Sequence, residues 1–385
     1  MKYYLIAGEA SGDLHGSNLM KGLYRQDPEA DIRFWGGGLM DAVYKEHQDG
    51  IGLVKDYREG AVLGFVEILL SARSLMKKIQ FCEDDISAWK PDAVILIDYP
   101  GFNLRIAEFA HKAGYKVYYY IVPKVWASRE GRIRKLKEYV DKLLIVFPFE
   151  IPYFESKDVP VTYVGNPLID AIEESPAMKE SRAHFIGRTG LPDAPWITLL
   201  AGSRSHEIKA MMPVFMELAD KWHASHPDTH FVIAGAPSRT EADYNLGGRD
   251  YVHLVFGETY GALRHGEAAV INSGTASLEA ALIGTPQVVG YRMAYGTYVM
   301  LKGMIKVKFI SLANLILDRS AFRELLQDYF TADNLYDELD RILTDSSYRS
   351  RMLSDYQEIR RLLGGPGASH RAAEEIIGSG DNIVH

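Results

Sequence analysis

Apolar residues along the chain fall in short blocks separated by segments of helical spacing. The blocks are YYLIA (3–7), AVILI (93–97), KVYYYIV (116–122), KLLIVF (142–147), ITLLA (197–201), FVIAG (231–235), AAVIN (268–272) and PQVVGY (286–291). A strand that is apolar at nearly every position is covered on both faces, and such strands alternating with helices build parallel, doubly wound sheets. The expected fold class is therefore α/β, with two Rossmann-like lobes facing a cleft. Ligands of these sheets bind beyond the carboxyl ends of the strands. Candidate chemistry belongs in the loops that follow the blocks.

The division into two lobes comes from a repeated start and a break between the repeats. Tyr3–Ser11 and Ile197–Ser205 both run from an apolar strand into Ala-Gly, with a Ser three residues after the Gly. Between them, Gly165–Pro195 contains several prolines and lacks strand periodicity, which marks a boundary. The expected domains are 1–168, 169–350 and a C-terminal segment, 351–385, that crosses back to the first lobe or exchanges in a dimer. The pattern after Arg319 reads as helical and amphipathic to Leu363, followed by a GGPGASH hinge (364–370) and a last helix. A length of 385 residues fits two domains at roughly 100–200 residues each.

Charge and cysteine content narrow the partners. The chain has 43 Lys and Arg against 51 Asp and Glu, a net charge of −8 that argues against general nucleic-acid binding. The single cysteine, Cys82, excludes an internal disulfide and suits a reducing compartment. The apolar run Tyr3–Ala7 is too short for a signal peptide, and no stretch approaches the roughly 18 apolar residues of a spanning helix. The expectation is a soluble or peripherally bound protein.

Five loops carry candidate chemistry. GEASGDLHG (8–16) sets Ser11, Gly12 and Asp13 before a helix expected to start near Leu14; small residues and free helix N–H groups suit an anion, while helix capping by Ser or Asp explains the same pattern. It is neither the dinucleotide fingerprint nor a P-loop. LIDYPGFN (96–103) ends a buried strand in Asp98, placed for a general base, with turn formation before Pro-Gly as the structural explanation. IVPKVWASREGRIRK (121–135) puts Trp126 beside Arg129, Arg132, Arg134 and Lys135, either a sugar or phosphate lining or a solvated helix face. LAGSRSHEI (200–208) places Ser203 and Arg204 before a helix, where a guanidinium could grip a diphosphate. INSGTASLEAALIGTP (271–286) offers Asn272, Ser273, Gly274 and Thr275 at a helix N-terminus, and Glu279 one turn on, placed for ribose hydroxyls. Together, the last two loops suggest a nucleotide-diphosphate site in the second lobe.

The ordered set GEASGD, DYPGFN, P-x-V-W-A, LAGSR, SGTASLEA and GYR resembles the lipid-A-disaccharide synthase family, from about residue 3 to about residue 330. The resemblance implies two Rossmann-like lobes of GT-B architecture. It also implies an inverting transfer of 2,3-diacylglucosamine from its UDP conjugate to 2,3-diacylglucosamine 1-phosphate, forming a β-1,6-linked disaccharide and UDP. Asp98 is then the candidate base, with Asp13, Glu9 and His15 as alternatives. Arg204, Ser273, Gly274, Thr275 and Glu279 would hold UDP, and Asn314 matches a family Asn near the nucleotide. Neither metal nor other cofactor is expected. Lys124 and Ser128 depart from the family pattern around V-W-A.

Acylated substrates need an apolar landing place. Val62, Phe65, Val66, Leu69 and Leu70 crowd the 61–79 stretch, with Arg73, Lys77 and Lys78 behind them, a pattern that suits either an interfacial helix or one packed on its own sheet. The expected setting is cytoplasmic, at the inner-membrane surface, with a homodimer compatible with the hinge. Two other readings stay open: a UDP-N-acetylglucosamine 2-epimerase-like enzyme, which would share the lobes and the nucleotide loops, and a catalytically silent UDP-sugar-binding module. Release of UDP on transfer separates the enzyme reading from both.

Overall fold

Seven parallel strands build the first sheet: β1 (Lys2–Ala7), β2 (Asp31–Gly36), β3 (Leu53–Asp56), β4 (Ala93–Ile97), β5 (Lys116–Tyr120), β6 (Lys142–Ile145) and β7 (Thr162–Tyr163), in the order β3-β2-β1-β4-β5-β6-β7. Six build the second: β8 (Trp196–Leu200), β9 (His230–Gly235), β10 (Val252–Phe256), β11 (Ala268–Asn272), β12 (Gln287–Tyr291) and β13 (Glu324–Leu326), in the order β10-β9-β8-β11-β12-β13. This computed structural model describes residues 1–59, 68–127, 130–237, 239–292 and 308–378. Val62, Phe65, Val66, Ser128 and Arg129 lie outside the described residues. The side chains of Leu69, Leu70 and Arg73 do too, although their backbone is helical.

The eight expected strands are β1, β4, β5, β6, β8, β9, β11 and β12. All eight are inner strands of their sheets, and β2, next to the edge strand β3, is the inner strand not foreseen. In the first unit Tyr3 pairs with Ala93 and Ala7 with Ile97, and every residue of β4 is buried. In the second, Ala268 pairs with Ile197 and Ile271 with Leu200. The chain order reverses between β1 and β4, and again between β8 and β11. Such reversals splay the loops at the carboxyl ends of the two strands to opposite faces and open a ligand crevice.

The chain divides into two compact units, Met1–Asp170 together with the chain from Gly365, and Ala171–Gly364. The last helix belongs to the first unit. It is Ala368–Gly378, and it packs along α1 (Ala10–Gln26), where Gly22 lets the helices touch: a Cβ there would stand 3.0 Å from Ala373 Cβ and from the Ser369 carbonyl. The buried Asp170 carboxylate accepts from the amides of Gly367 (2.5 Å) and Ser369 (3.1 Å), and Arg371 Nε donates to the Val164 carbonyl at 2.8 Å.

Three details differ from expectation. The first helix starts at Ala10, so Gly12 and Asp13 lie inside it rather than in a preceding loop. The 319–363 stretch is not helical throughout: β13 intervenes before the helices Ala332–Thr344 and Ser346–Leu363. The helix Ser346–Leu363, expected in the terminal segment from residue 351, instead buries Met352, Tyr356, Ile359 and Leu363 within the second unit. Among the described residues no helix is long and apolar enough to cross a membrane.

Candidate active site

In the first unit the loops after β1, β4, β5 and β6 gather at the carboxyl edge. Asp98 and Tyr99 follow β4 with φ of +45° and +47°, a left-handed pair that non-glycine residues rarely adopt. The surrounding fold holds it. Asp98 N–H donates to the Tyr120 carbonyl (3.2 Å), while the Asp98 carbonyl accepts from Tyr119 Oη (2.6 Å) and Asn103 Nδ2 (2.8 Å). The turn swings the Tyr99 ring across Gly8, where a Cβ would meet Tyr99 Cδ1 at 2.3 Å. Only glycine fits at position 8.

The Asp98 carboxyl group is thereby displayed at the sheet edge. Burial raises its pKa, Lys124 pulls it down, Glu9 adds to the rise, and the Tyr99 amide lowers it. A carboxylate raised by desolvation is a stronger proton acceptor than one in water, which a general base requires.

Trp126 is anchored rather than free. Its indole N–H donates to Glu150 Oε1 at 2.9 Å, and its ring stands edge-on to Phe149. Glu150 opens the helix Glu150–Glu155, is 1% exposed and also accepts from the Phe147 amide (3.1 Å). Desolvation pushes its pKa up to about 7 against these hydrogen bonds and the charge of Lys124. The sequence reading missed Glu150. The signal was present: it follows FPF in the loop after β6, at the same carboxyl edge of the sheet where Asp98 follows β4.

The other first-unit candidates separate. Ser11 is exposed in the first turn of α1, whereas Gly12 is buried against Ala7 Cβ. Asp13 is also buried, and its carboxylate accepts from the amides of Gly37 (2.8 Å), Leu39 (3.1 Å) and Met40 (3.0 Å). It caps the helix Gly38–His47, so its acceptor capacity is spent inside the fold. His15 is buried, with its pKa lowered to about 4 by desolvation, and stays neutral at pH 7.

In the second unit the loops after β8 and β11 meet across the chain reversal. Asn272 Nδ2 donates to the Ala201 carbonyl at 3.4 Å, and Gly202, at φ +95°, lies so close that a Cβ would stand 2.4 Å from that amide nitrogen. Arg204 precedes the helix Ser205–Ser225. The Ser203 and Arg204 amides both donate to Glu207 Oε2 at 3.1 Å, and Arg204 Nη1 reaches Glu207 Oε1 at 3.1 Å. A carboxylate thus fills the anion-binding position at this helix start, the place expected for a phosphate. Arg239, from the loop after β9, holds the same turn through Ser203 O (2.9 Å) and Ser205 Oγ (2.7 Å). It was not among the candidates, although APSR follows β9 just as GSR follows β8.

Gly274 precedes the helix Thr275–Ile283 at φ +153°, with Thr275 exposed and Ser273 half-buried at its mouth. Glu279 is half-buried one turn along, bonded by Tyr260 Oη at 3.0 Å and raised in pKa by desolvation. Asn314 differs from expectation. It is fully buried, accepts from the Ala321 amide (2.8 Å) and donates to Phe322 O (3.1 Å) and Glu324 Oε1 (2.9 Å). All its polar atoms are engaged internally, so it supports the loop rather than lining a site.

Comparison with known proteins follows the same lines. Residues 3–375 match the family described as lipid-A-disaccharide synthetase. The lipid-A-disaccharide synthase of Geobacter metallireducens is 37% identical over 378 residues, covering 97% of this chain and 96% of that protein. The Pseudomonas fluorescens lipid-A-disaccharide synthase is 36% identical over 380 residues, covering 98% and 97%. Among solved structures, the Neisseria meningitidis UDP-GlcNAc 2-epimerase bound to UDP-GlcNAc superposes with a TM-score of 0.70 at 15% identity, over 98% of this chain and 100% of that one. A calicheamicin glycosyltransferase does so at 0.61 and 17%, over 100% and 99%. At such identities the structural likeness establishes the fold alone.

Proposed function

This chain belongs to the lipid-A-disaccharide synthase family, and from that premise we propose an assignment of its transfer chemistry to residues. The chain is an inverting hexosyltransferase of lipid A biosynthesis. It moves 2,3-diacylglucosamine from UDP-2,3-diacylglucosamine to 2,3-diacylglucosamine 1-phosphate, forming the β-1,6-linked disaccharide 1-phosphate and UDP. The epimerase alternative draws on fold likeness only, and relatives at 34–37% identity are named synthases.

Inversion requires the acceptor hydroxyl to attack the anomeric carbon from the face opposite UDP. The hydroxyl loses its proton as the new C–O bond forms, and the electron pair of the breaking bond leaves on the diphosphate. Asp98 takes the proton. Its raised basicity and its position at the sheet edge in the pinned left-handed turn are the observation that carries this reading. Arg204 neutralises the departing diphosphate once Glu207 yields its place, aided by the amides at Ser203 and by Ser273, Gly274 and Thr275 at the start of the helix Thr275–Ile283. Glu279 holds the ribose hydroxyls, and Trp126 borders the acceptor. Ser11 borders the sugars, while Gly12, Asp13 and Asn314 support the binding loops from inside the fold. Asn272 ties the two nucleotide loops together.

The acyl chains belong at a membrane. The reading places the protein on the cytoplasmic face of the inner membrane, with Val62, Phe65, Val66, Leu69 and Leu70 as the apolar contact and Arg73, Lys77 and Lys78 facing anionic headgroups. A homodimer exchanging the last helix belongs to the same reading, with sizing chromatography as its check. No metal or other cofactor takes part.

The experiment is Asp98→Asn. Transfer should fall by at least about 100-fold, the scale of a lost general base, while calorimetry finds UDP affinity unchanged. Turnover near that of the unsubstituted protein would remove Asp98 from the role.

A further inference from the structure

The direction of the Asp98 carboxyl group is set by its backbone. Asp98 and Tyr99 are consecutive left-handed residues, a conformation that residues with a side chain leave unless other contacts hold it. Rotation about N–Cα carries Cβ with it, so a relaxed turn would point the carboxyl group elsewhere.

Two buried side chains hold the turn at one atom, the Asp98 carbonyl oxygen. Tyr119 Oη donates to it at 2.6 Å from β5, and Asn103 Nδ2 at 2.8 Å from the first turn of the helix Pro100–Lys112. A carbonyl oxygen has two lone pairs, so these donors fill it. Asn103 Nδ2 also lies 3.2 Å from the Ile97 carbonyl oxygen and 3.4 Å from that of Ile6, which ties the ends of β4 and β1 to the turn. Three carbonyls around this atom identify it as the nitrogen end of the amide. Burial holds the Tyr119 hydroxyl well above its ordinary pKa, so it remains a donor across the working pH range. Both side chains are 0% exposed, out of reach of a substrate.

We propose that Asn103 and Tyr119 are positioning residues for the transfer: by filling both lone pairs of the Asp98 carbonyl they lock the left-handed turn and aim the Asp98 carboxylate at the acceptor hydroxyl. This inference rests on the reading of Asp98 as the base. Simple satisfaction of buried polar groups would cost stability when either donor is removed. Positioning costs rate as well, and only while the carboxylate is there to be aimed.

The test compares Tyr119→Phe, which removes one oxygen and keeps the ring, and Asn103→Leu, which keeps the size and loses the donors, each alone and combined with Asp98→Asn. Melting curves and UDP titration check that the variants fold, and Tyr119→Phe decides alone if Asn103→Leu does not. With both acylated substrates kcat should fall roughly tenfold in Tyr119→Phe and about 10- to 100-fold in Asn103→Leu, the scale of a displacement of 1 Å or less. KM for either substrate should change by less than about twofold, since no substrate contact is lost. On the Asp98→Asn background, followed with enzyme in excess so that slow rates are read, neither second substitution should lower the residual rate by more than about twofold. Full kcat in Tyr119→Phe while Asp98→Asn is inactive overturns the positioning role and leaves the base standing. So do equal losses with and without the Asp98 carboxylate. An active Asp98→Asn overturns the base and this inference with it.

Discussion

The indole N–H of Trp126 meets Glu150 Oε1 at 2.9 Å, joining the loop after β5 to the helix after β6 through a carboxylate that is 1% exposed. Glu150→Ala strands the Trp126 and Phe147 donors in a buried site. The expected loss of stability is about 2–4 kcal/mol, from two or more unsatisfied groups, read from the urea midpoint. Glu150→Gln should recover part of it, because its carbonyl still accepts from Trp126.

The pKa of Glu150 makes a separate claim. It is raised to about 7 in the folded protein from an ordinary 4.5, so between those values the folded state binds more protons than the unfolded one. Stability from this group is therefore fully present at low pH and is lost as pH rises. The difference in unfolding free energy, unsubstituted protein minus Glu150→Gln, should fall by up to about 3 kcal/mol between pH 4.5 and 7. A flat or rising difference contradicts the assignment.

His15 behaves in the opposite sense. Its folded pKa of about 4 lies below the ordinary 6.5, so the unfolded chain takes the proton first, and this contribution to stability is lost as pH falls from 6.5 toward 4. Imidazole nitrogen shifts followed by NMR should show His15 neutral at pH 6. A protonated ring at that pH would return it to the set of candidate acid–base groups.

Gly202→Ala combines a positive φ with a close approach to Asn272 Nδ2 and to Glu207 Oε2, at 2.4 and 2.5 Å. It should destabilise the second unit by more than about 1 kcal/mol and weaken UDP binding, as the β8 and β11 loops are forced apart. Calorimetric titration with UDP checks it. Gly284 also has a positive φ, but an added Cβ there would meet no atom within 4 Å, so Gly284→Ala, which carries the strain without the collision, should leave UDP affinity intact.

Arg204 is exposed and paired locally with Glu207, so Arg204→Ala should leave the melting temperature nearly unchanged. Loss of a charged hydrogen bond to the leaving group is worth about 1.5–3 kcal/mol, roughly a 10- to 100-fold drop in kcat/KM for the donor. Steady-state kinetics against both substrates separates this from an acceptor effect.

What the sequence made legible follows from burial. β4 and β11 are covered on both faces and read as apolar runs, broken only by Asn272 at the end of β11, whereas the edge strands β3, β7, β10 and β13, and β2 beside an edge, are short or alternate with polar residues, as in DIRFWG. They need a neighbouring strand to be seen. Asp98 was legible because a carboxylate at the end of a buried strand is conspicuous. The roles of Asp13 and Asn314 were not, because their partners, Gly37 and Glu324, come from elsewhere in the chain. Nor does sequence spacing reveal that Glu207 occupies the turn at Arg204, since that depends on the direction of a side chain at a helix start.

The central claim is the joining of two acylated glucosamines, and mass spectrometry of the products tests it most directly. Purified protein given UDP-2,3-diacylglucosamine and 2,3-diacylglucosamine 1-phosphate should yield a tetraacyl disaccharide 1-phosphate with an equal amount of UDP. Intact substrates, or UDP released without disaccharide, would contradict it.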